Sequence, residues 1–262
     1  MSETLAEWQS ARRAELSSPE SWLGMRGLFW LEPGVNRVGS GEDARVRLPE
    51  GPAHLGDVVW DDERITWHPT AGIVQVLVTD RLGPATTVDH ENLSFFIVDR
   101  EGRLAARVRD RAWAETQPFP GLHYFPAAAE WRKEASWQML DAPIAMEVPN
   151  VSGELKTVTV THQAVFEHGG KMVALLPMSV SEREVFFVFR DRTSGRQTYG
   201  AGRFLKASPP VDGQLVLNFN RAFNPPCAFT PFATCPLPPP ENWLSLAVLA
   251  GECKPGFAPE QA

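Results

Sequence analysis

The sequence predicts a mainly β protein: an antiparallel barrel or a two-sheet sandwich, with one helix at the N-terminus and a long proline-rich loop near the C-terminus. Three observations carry this. From Val35 onward, apolar residues recur in short runs of strand length, bounded by Gly, Pro, Asp and Ser. Long helical patterns alternating with strands, as a parallel α/β fold requires, are absent. The stretch Asn218 to Asn242 (NFNRAFNPPCAFTPFATCPLPPPEN) holds too much proline for a sheet or helix interior, because each Pro removes a backbone donor and fixes φ.

The elements follow in order. Leu5, Trp8, Ala11 and Leu16 fall at helical spacing with charges between them, so a helix is expected from about Glu3 to Leu16. The run Ser21 to Gly34 (SWLGMRGLFWLEPG) reads as a buried lead into the first strand. Strands are expected at Val35–Gly39, Ala44–Leu48, Asp57–Trp60, Arg64–His68 and Ile73–Thr79. Phe95–Asp99 and Leu104–Arg109 flank Arg100-Glu101-Gly102-Arg103, a hairpin whose glycine can take positive φ. Trp113 to Pro126, dense in Pro and aromatics, is expected to be irregular. Strand signals resume at Trp131–Leu140, Thr157–Thr161, Ala164–Glu167, Met172–Leu176, Val185–Arg190 and Leu215–Phe219. The organisation expected is a helix over residues 1–20, a β region over 21–112 and a second β region with the proline-rich strap over 113–262, forming one compact body.

Composition narrows the function classes. The 262 residues are 43% hydrophobic and 22% charged, with nine Trp and fifteen Phe against two Tyr, enough for a core built on bulky rings. A net charge of -7 offers no basic field for a nucleic-acid backbone. No stretch approaches a membrane span, and the start (MSETLAEWQSARRAEL) lacks a basic region leading into an apolar one, so a cytoplasmic, non-membrane protein is expected. The three cysteines, Cys227, Cys235 and Cys253, are too few for a disulfide framework, although a Cys227–Cys235 bridge is conceivable in an exported chain. Their C-x7-C spacing does not suit structural zinc, and neither a metal nor a cofactor is expected.

Candidate site residues concentrate in the last quarter. Tyr199, Arg203, Arg221 and Asn224 are the most ligand-like group, because guanidinium forks and amides orient carboxylates or phosphates. Phe219, Phe223, Phe229 and Phe232 would supply apolar walls. Asn220, Glu241 and Asn242 lie in the same stretch, and His123, beside Tyr124, could serve as an acid or base. The competing arrangement has Arg203 and Arg221 paired with Asp191, Glu241 or Glu252 as structural ion pairs. No P-loop, G-x-S-x-G elbow or G-x-G-x-x-G motif in βαβ context is present.

The pieces GLFWLEPG at 27–34, VRDR at 108–111, TSGRQTYGAGRFL at 193–205, the run at 218–242 and AGE at 250–252 resemble the prokaryotic family catalogued as domain of unknown function 1684. The resemblance extends from about Trp22 to Glu252 and implies no reaction. A weaker likeness joins Gly34 to Pro49 to the opening hairpin of forkhead-associated domains, sandwiches that read phosphothreonine. That family needs an Arg after the first loop glycine, whereas here Val38-Gly39-Ser40 runs on to Gly41. Together these readings lead to a protein that binds a small, anionic molecule near the C-terminal strap, as a binding protein or as an enzyme of unassigned reaction. The alternatives are a non-catalytic interaction module using the N-terminal half, or a structural protein.

Overall fold

The computed structural model describes residues 3–62 and 64–259. The chain is mainly β, and divides into one unit of Met1–Ala14 with Pro120–Ala262 and another of Glu15–Phe119. Helix α1 (Leu5–Ser17) starts on a capping box: the Thr4 hydroxyl accepts from the Glu7 amide at 3.2 Å, and the Glu7 carboxylate accepts from the Thr4 amide at 2.8 Å.

The unit of residues 15–119 holds β1 (Met25–Trp30), β2 (Gly34–Gly39), β3 (Val46–Arg47), β4 (Gly56–Asp61), β5 (Arg64–Pro69), β6 (Gln75–Val76), β7 (Thr87–His90), β8 (Leu93–Arg100), β9 (Arg103–Asp110) and helix α2 (Arg111–Thr116). One sheet has the order β1-β9-β8-β7 and the other β3-β2-β4-β5-β6. Among the described residues the pairs are antiparallel except β2 with β3. Strand alternation sends Phe95, Ile97, Leu104, Ala106 and Val108 from one sheet, and Val38, Val58, Ile65 and Trp67 from the other, into a shared core. The β8–β9 hairpin closes at Glu101 and Gly102, both at positive φ, and the Gly102 amide donates to Asp99 at 2.8 Å.

Two expectations are corrected here. Ile73–Thr79 shortens to the two-residue β6, because Gln75 and Val76 alone pair in register with β5, and Leu77 adds one bond from its amide to the Ile65 carbonyl. The start of the stretch expected to be irregular lies in α2, where the Asp110 side chain caps the Trp113 amide at 2.8 Å.

In the other unit, β10 (Arg132–Pro149), β11 (Leu155–His168), β12 (Lys171–Leu175) and β16 (Gln214–Asn218) form a sheet of order β12-β11-β10-β16. A second sheet, β13-β14-β15, comprises β13 (Ser179–Val180), β14 (Val185–Phe189) and β15 (Arg203–Ala207). Both contribute to one core around Phe166, Phe187, Phe189, Leu205, Leu217 and Phe219. The strands expected at 157–161 and 164–167 are one strand, β11. Its partner β10 runs on to Pro149 through a register shift between Met139 and Ile144, which leaves Pro143 outside the paired residues. Residues 203–207, where no strand was expected, form β15, because Gly202 is the last residue that needs a non-extended backbone. The run from Phe219 to Asn242 contains three short 3-10 turns, two of which begin with proline.

Candidate functional site

Arg203, fully buried, lies at the start of β15. Its guanidinium donates to the Asp191 carboxylate at 2.8 Å, to the Val248 carbonyl at 3.0 Å and to the Ala250 carbonyl. Asp191 in turn accepts from the Thr193 amide at 2.7 Å and from the Thr193 hydroxyl at 2.5 Å. Asn224 donates its side-chain N–H to the Cys253 carbonyl at 2.7 Å, and its amide donates to Glu252 Oε2 at 2.7 Å. Asn242 accepts from the Leu176 amide and donates to the Leu176 and Val188 carbonyls, all at 2.8–2.9 Å. Asn220 makes the equivalent pair of bonds with the backbone of Ala128. The Tyr199 hydroxyl donates to the Cys227 carbonyl at 2.8 Å.

Glu252 is the charge around which part of this network turns. Burial pushes its carboxyl above the usual range, against the pull of Arg12, whose Nε lies 3.1 Å away, and of the Asn224 amide. Tyr124 is raised by burial and by the negative charge of Glu252, and burial pushes the Cys253 thiol up to about 11. Arg221 stands apart, paired with Glu3 at 3.2 Å, and lines an open groove of about 790 Å³ with Arg132, Glu134 and Lys206. Glu241 and His123 are exposed and do not join the group.

A different cluster lies in the unit of residues 15–119. On β9 the even positions Leu104, Ala106 and Val108 face the core, so Arg107 and Arg109 project from the opposite face of that sheet. There they line a cavity of about 420 Å³ with Ser18, Ser21, Trp22, Met25 and Phe96, and with Arg100, Glu15, Glu20 and Asp80. Arg107 is 2% exposed, its guanidinium 4.8 Å from the Trp22 ring and 5.9 Å from that of Phe96. Arg109 stands 5.5 Å over the Phe96 ring and meets Glu20 at 2.5 Å, while its buried Nε has no hydrogen-bond partner among the described residues.

Three arginines and three carboxylates line this cavity. Arg100 grips Asp80 with two bonds of 2.8 and 2.9 Å. Burial would raise the Asp80 carboxyl, but these bonds, the Asp99 amide and the charge of Arg107 outweigh it and hold the group below its ordinary range. Burial draws Arg109 downward, with the like charge of Arg111 adding to it and Glu20 opposing. Reading the sequence for motifs passes over this cluster. The signal was the alternation in RLAARVRD at 103–110, which puts arginines on one face and apolar residues on the other.

A model for the family described as a protein of unknown function, DUF1684, matches residues 117–253, more than half of the chain. The chain belongs to the DUF1684 family. The DUF1684 match takes in Arg203, Asp191, Asn224, Asn242 and Glu252 with their partners in 117–253, whereas the arginine cavity lies outside it. The chain is also similar to an uncharacterised protein of Haloarcula marismortui solved by solution NMR: 32% identity over 52% of this chain and 77% of that one, with a TM-score of 0.42. No curated protein matches this DUF1684 chain.

Proposed function

We propose that the protein binds a small organic anion in the cavity lined by Arg107 and Arg109. This keeps the anionic ligand expected from the sequence, but moves it from the strap to the outer face of β8 and β9. Most polar atoms of Arg203, Asn220, Asn224 and Asn242 are engaged by the protein's own backbone and by Asp191, so in this reading they hold the fold, although Arg203 Nε and Asn224 Oδ1 are buried without a hydrogen-bond partner among the described residues.

The observation that carries the proposal is the placement of two guanidinium groups, two residues apart on one strand, in a cavity also walled by Trp22 and Phe96. Guanidinium forks match carboxylate and phosphate oxygens, and the rings suit a flat apolar body. The lining carries three arginines, Arg100, Arg107 and Arg109, and three carboxylates, Glu15, Glu20 and Asp80, so the cavity favours a ligand with one negative group over a polyphosphate.

A thermal-shift panel of monocarboxylates, dicarboxylates and phosphate monoesters tests this, with Trp22 emission as a second readout. A monoanion with an aromatic or alicyclic body should raise the melting midpoint. Arg109→Gln should weaken that ligand by roughly tenfold or more, the usual value of a charged hydrogen bond, while Arg221→Gln leaves it unchanged. Equal responses from wild type and Arg109→Gln would sink the assignment.

A second reading, as an interaction module, is favoured by one observation. Ile73, Val74, Val76, Val78 and Leu82 are all exposed around β6, the edge strand of its sheet. An open edge flanked by apolar side chains can pair with a strand of a second copy. Sedimentation would then show a mass that rises with concentration in the wild type and not in Val76→Lys.

A further inference from the structure

Two of the three cysteines meet in the strap. The Cys227 amide donates to the Cys235 sulfur at 3.3 Å, so that sulfur sits beside the backbone atom that shares a Cα with the Cys227 side chain. Cys227 is partly exposed, while Cys235 is buried. Both ends are anchored: the Cys227 carbonyl accepts from the Tyr199 hydroxyl at 2.8 Å, and the Cys235 carbonyl accepts from the Val151 amide at 3.0 Å. Neither thiol is needed for the cavity proposed above, which lies in the other unit.

We propose that Cys227 and Cys235 form a dithiol–disulfide site in which Cys227 is the attacking sulfur and Cys235 the resolving one, with a low-molecular-weight disulfide as co-reactant. Accessibility decides the order, since only Cys227 reaches solvent to meet the first disulfide. Its thiol is also held below the ordinary range, chiefly by the hydrogen bond with Cys235 and against the opposing effect of burial, with Tyr199 adding to the lowering. The Cys227 thiolate attacks one sulfur of the small disulfide, RSSR, forming a mixed disulfide and releasing RS⁻, which takes up the proton lost by Cys227. Cys235, deprotonated, then attacks the Cys227 sulfur and expels the second RS⁻, which takes up the Cys235 proton. The sum is two protein thiols plus RSSR giving one protein disulfide plus two RSH, so two electrons pass from the protein to the small disulfide. Cys253 is buried, and its thiol is shifted upward, so it takes no part.

The test uses the full chain incubated with glutathione disulfide, then alkylated in denaturant and read by intact and peptide mass. The expected product carries one alkylated cysteine, Cys253, and a Cys227–Cys235 cross-link. In Cys235→Ser the reaction should stop with one glutathionyl group on Cys227, and in Cys227→Ser no adduct should form on Cys235 at a comparable rate. These variants change one atom each, and near-UV circular dichroism checks that they fold. The proposal is overturned if all three thiols of folded wild type remain alkylatable, if the cross-link joins Cys253, or if Cys227 reacts no faster than glutathione itself.

Discussion

Arg203 shows how a residue can look like a ligand group and serve the fold. An arginine on a motif-bearing stretch with two asparagines nearby is conspicuous by chemistry alone. Its partners are not, because the carbonyls of Val248 and Ala250 become acceptors only when the end of the chain returns past β15. Sequence supplies the donor and hides the acceptor. The pair with Asp191 is buried on both sides, 1% and 0% exposed, so removing one member strands the other charge. Arg203→Ala should therefore lower unfolding stability by about 3–5 kcal/mol in urea titrations. Combining it with Asp191→Asn should cost clearly less than the sum of the two single changes, since each already breaks the same pair. Full additivity would mean that the bond contributes little.

At the scale of elements, alternation was legible and termination was not. The strands expected at Val35–Gly39, Asp57–Trp60 and Arg64–His68 and the β8–β9 hairpin stand close to where period-two patterning put them, because one face of each is buried in a shared core, while Ala44–Leu48 shortens to the two-residue β3. The same alternation held the arginine face of β9, which a search for motifs does not see. β15 was missed because its start depends on a backbone feature of one residue. Gly202 has φ +92°, and a Cβ there would stand 2.6 Å from the Phe189 carbonyl oxygen, on the strand that β15 pairs with. Gly213 also has positive φ, +72°, but a Cβ there meets nothing within 4 Å. Gly213→Ala should thus carry only the conformational cost of about 1–3 kcal/mol. Gly202→Ala should cost visibly more in the same urea titration, because Phe189 is backbone in a sheet and has no rotamer to yield. Equal midpoints for the two variants would contradict this account of how β15 begins.

At the scale of the whole molecule, the first fourteen residues belong to the same compact unit as residues 120–262, a closure that no local pattern announces. Trp8 packs edge-on to Tyr124 and Phe223, and Arg12 lies 4.9 Å over the Phe223 ring while bonding Glu252 and the Asn224 carbonyl. This arrangement makes stability depend on pH in a direction set by Glu252. Burial raises its carboxyl in the folded state, so between the ordinary carboxylate value and that raised value the folded chain binds more protons than the unfolded one. The contribution of this group is then fully present below the unfolded pKa and is lost as pH rises through the folded one. Arg12 limits the loss by drawing the folded value down. In Arg12→Met the folded value should climb further, so the stability deficit against wild type should be small in acid, where it reflects only the lost bond to Asn224 and the ring contact. It should then widen as pH rises above the carboxylate range, and level off once Glu252 is ionised in both. Adding Glu252→Gln to Arg12→Met should flatten that widening. Melting midpoints of the three chains measured across the acid-to-neutral range decide it: a deficit that stays constant with pH would show that Arg12 acts through packing and not through the buried charge.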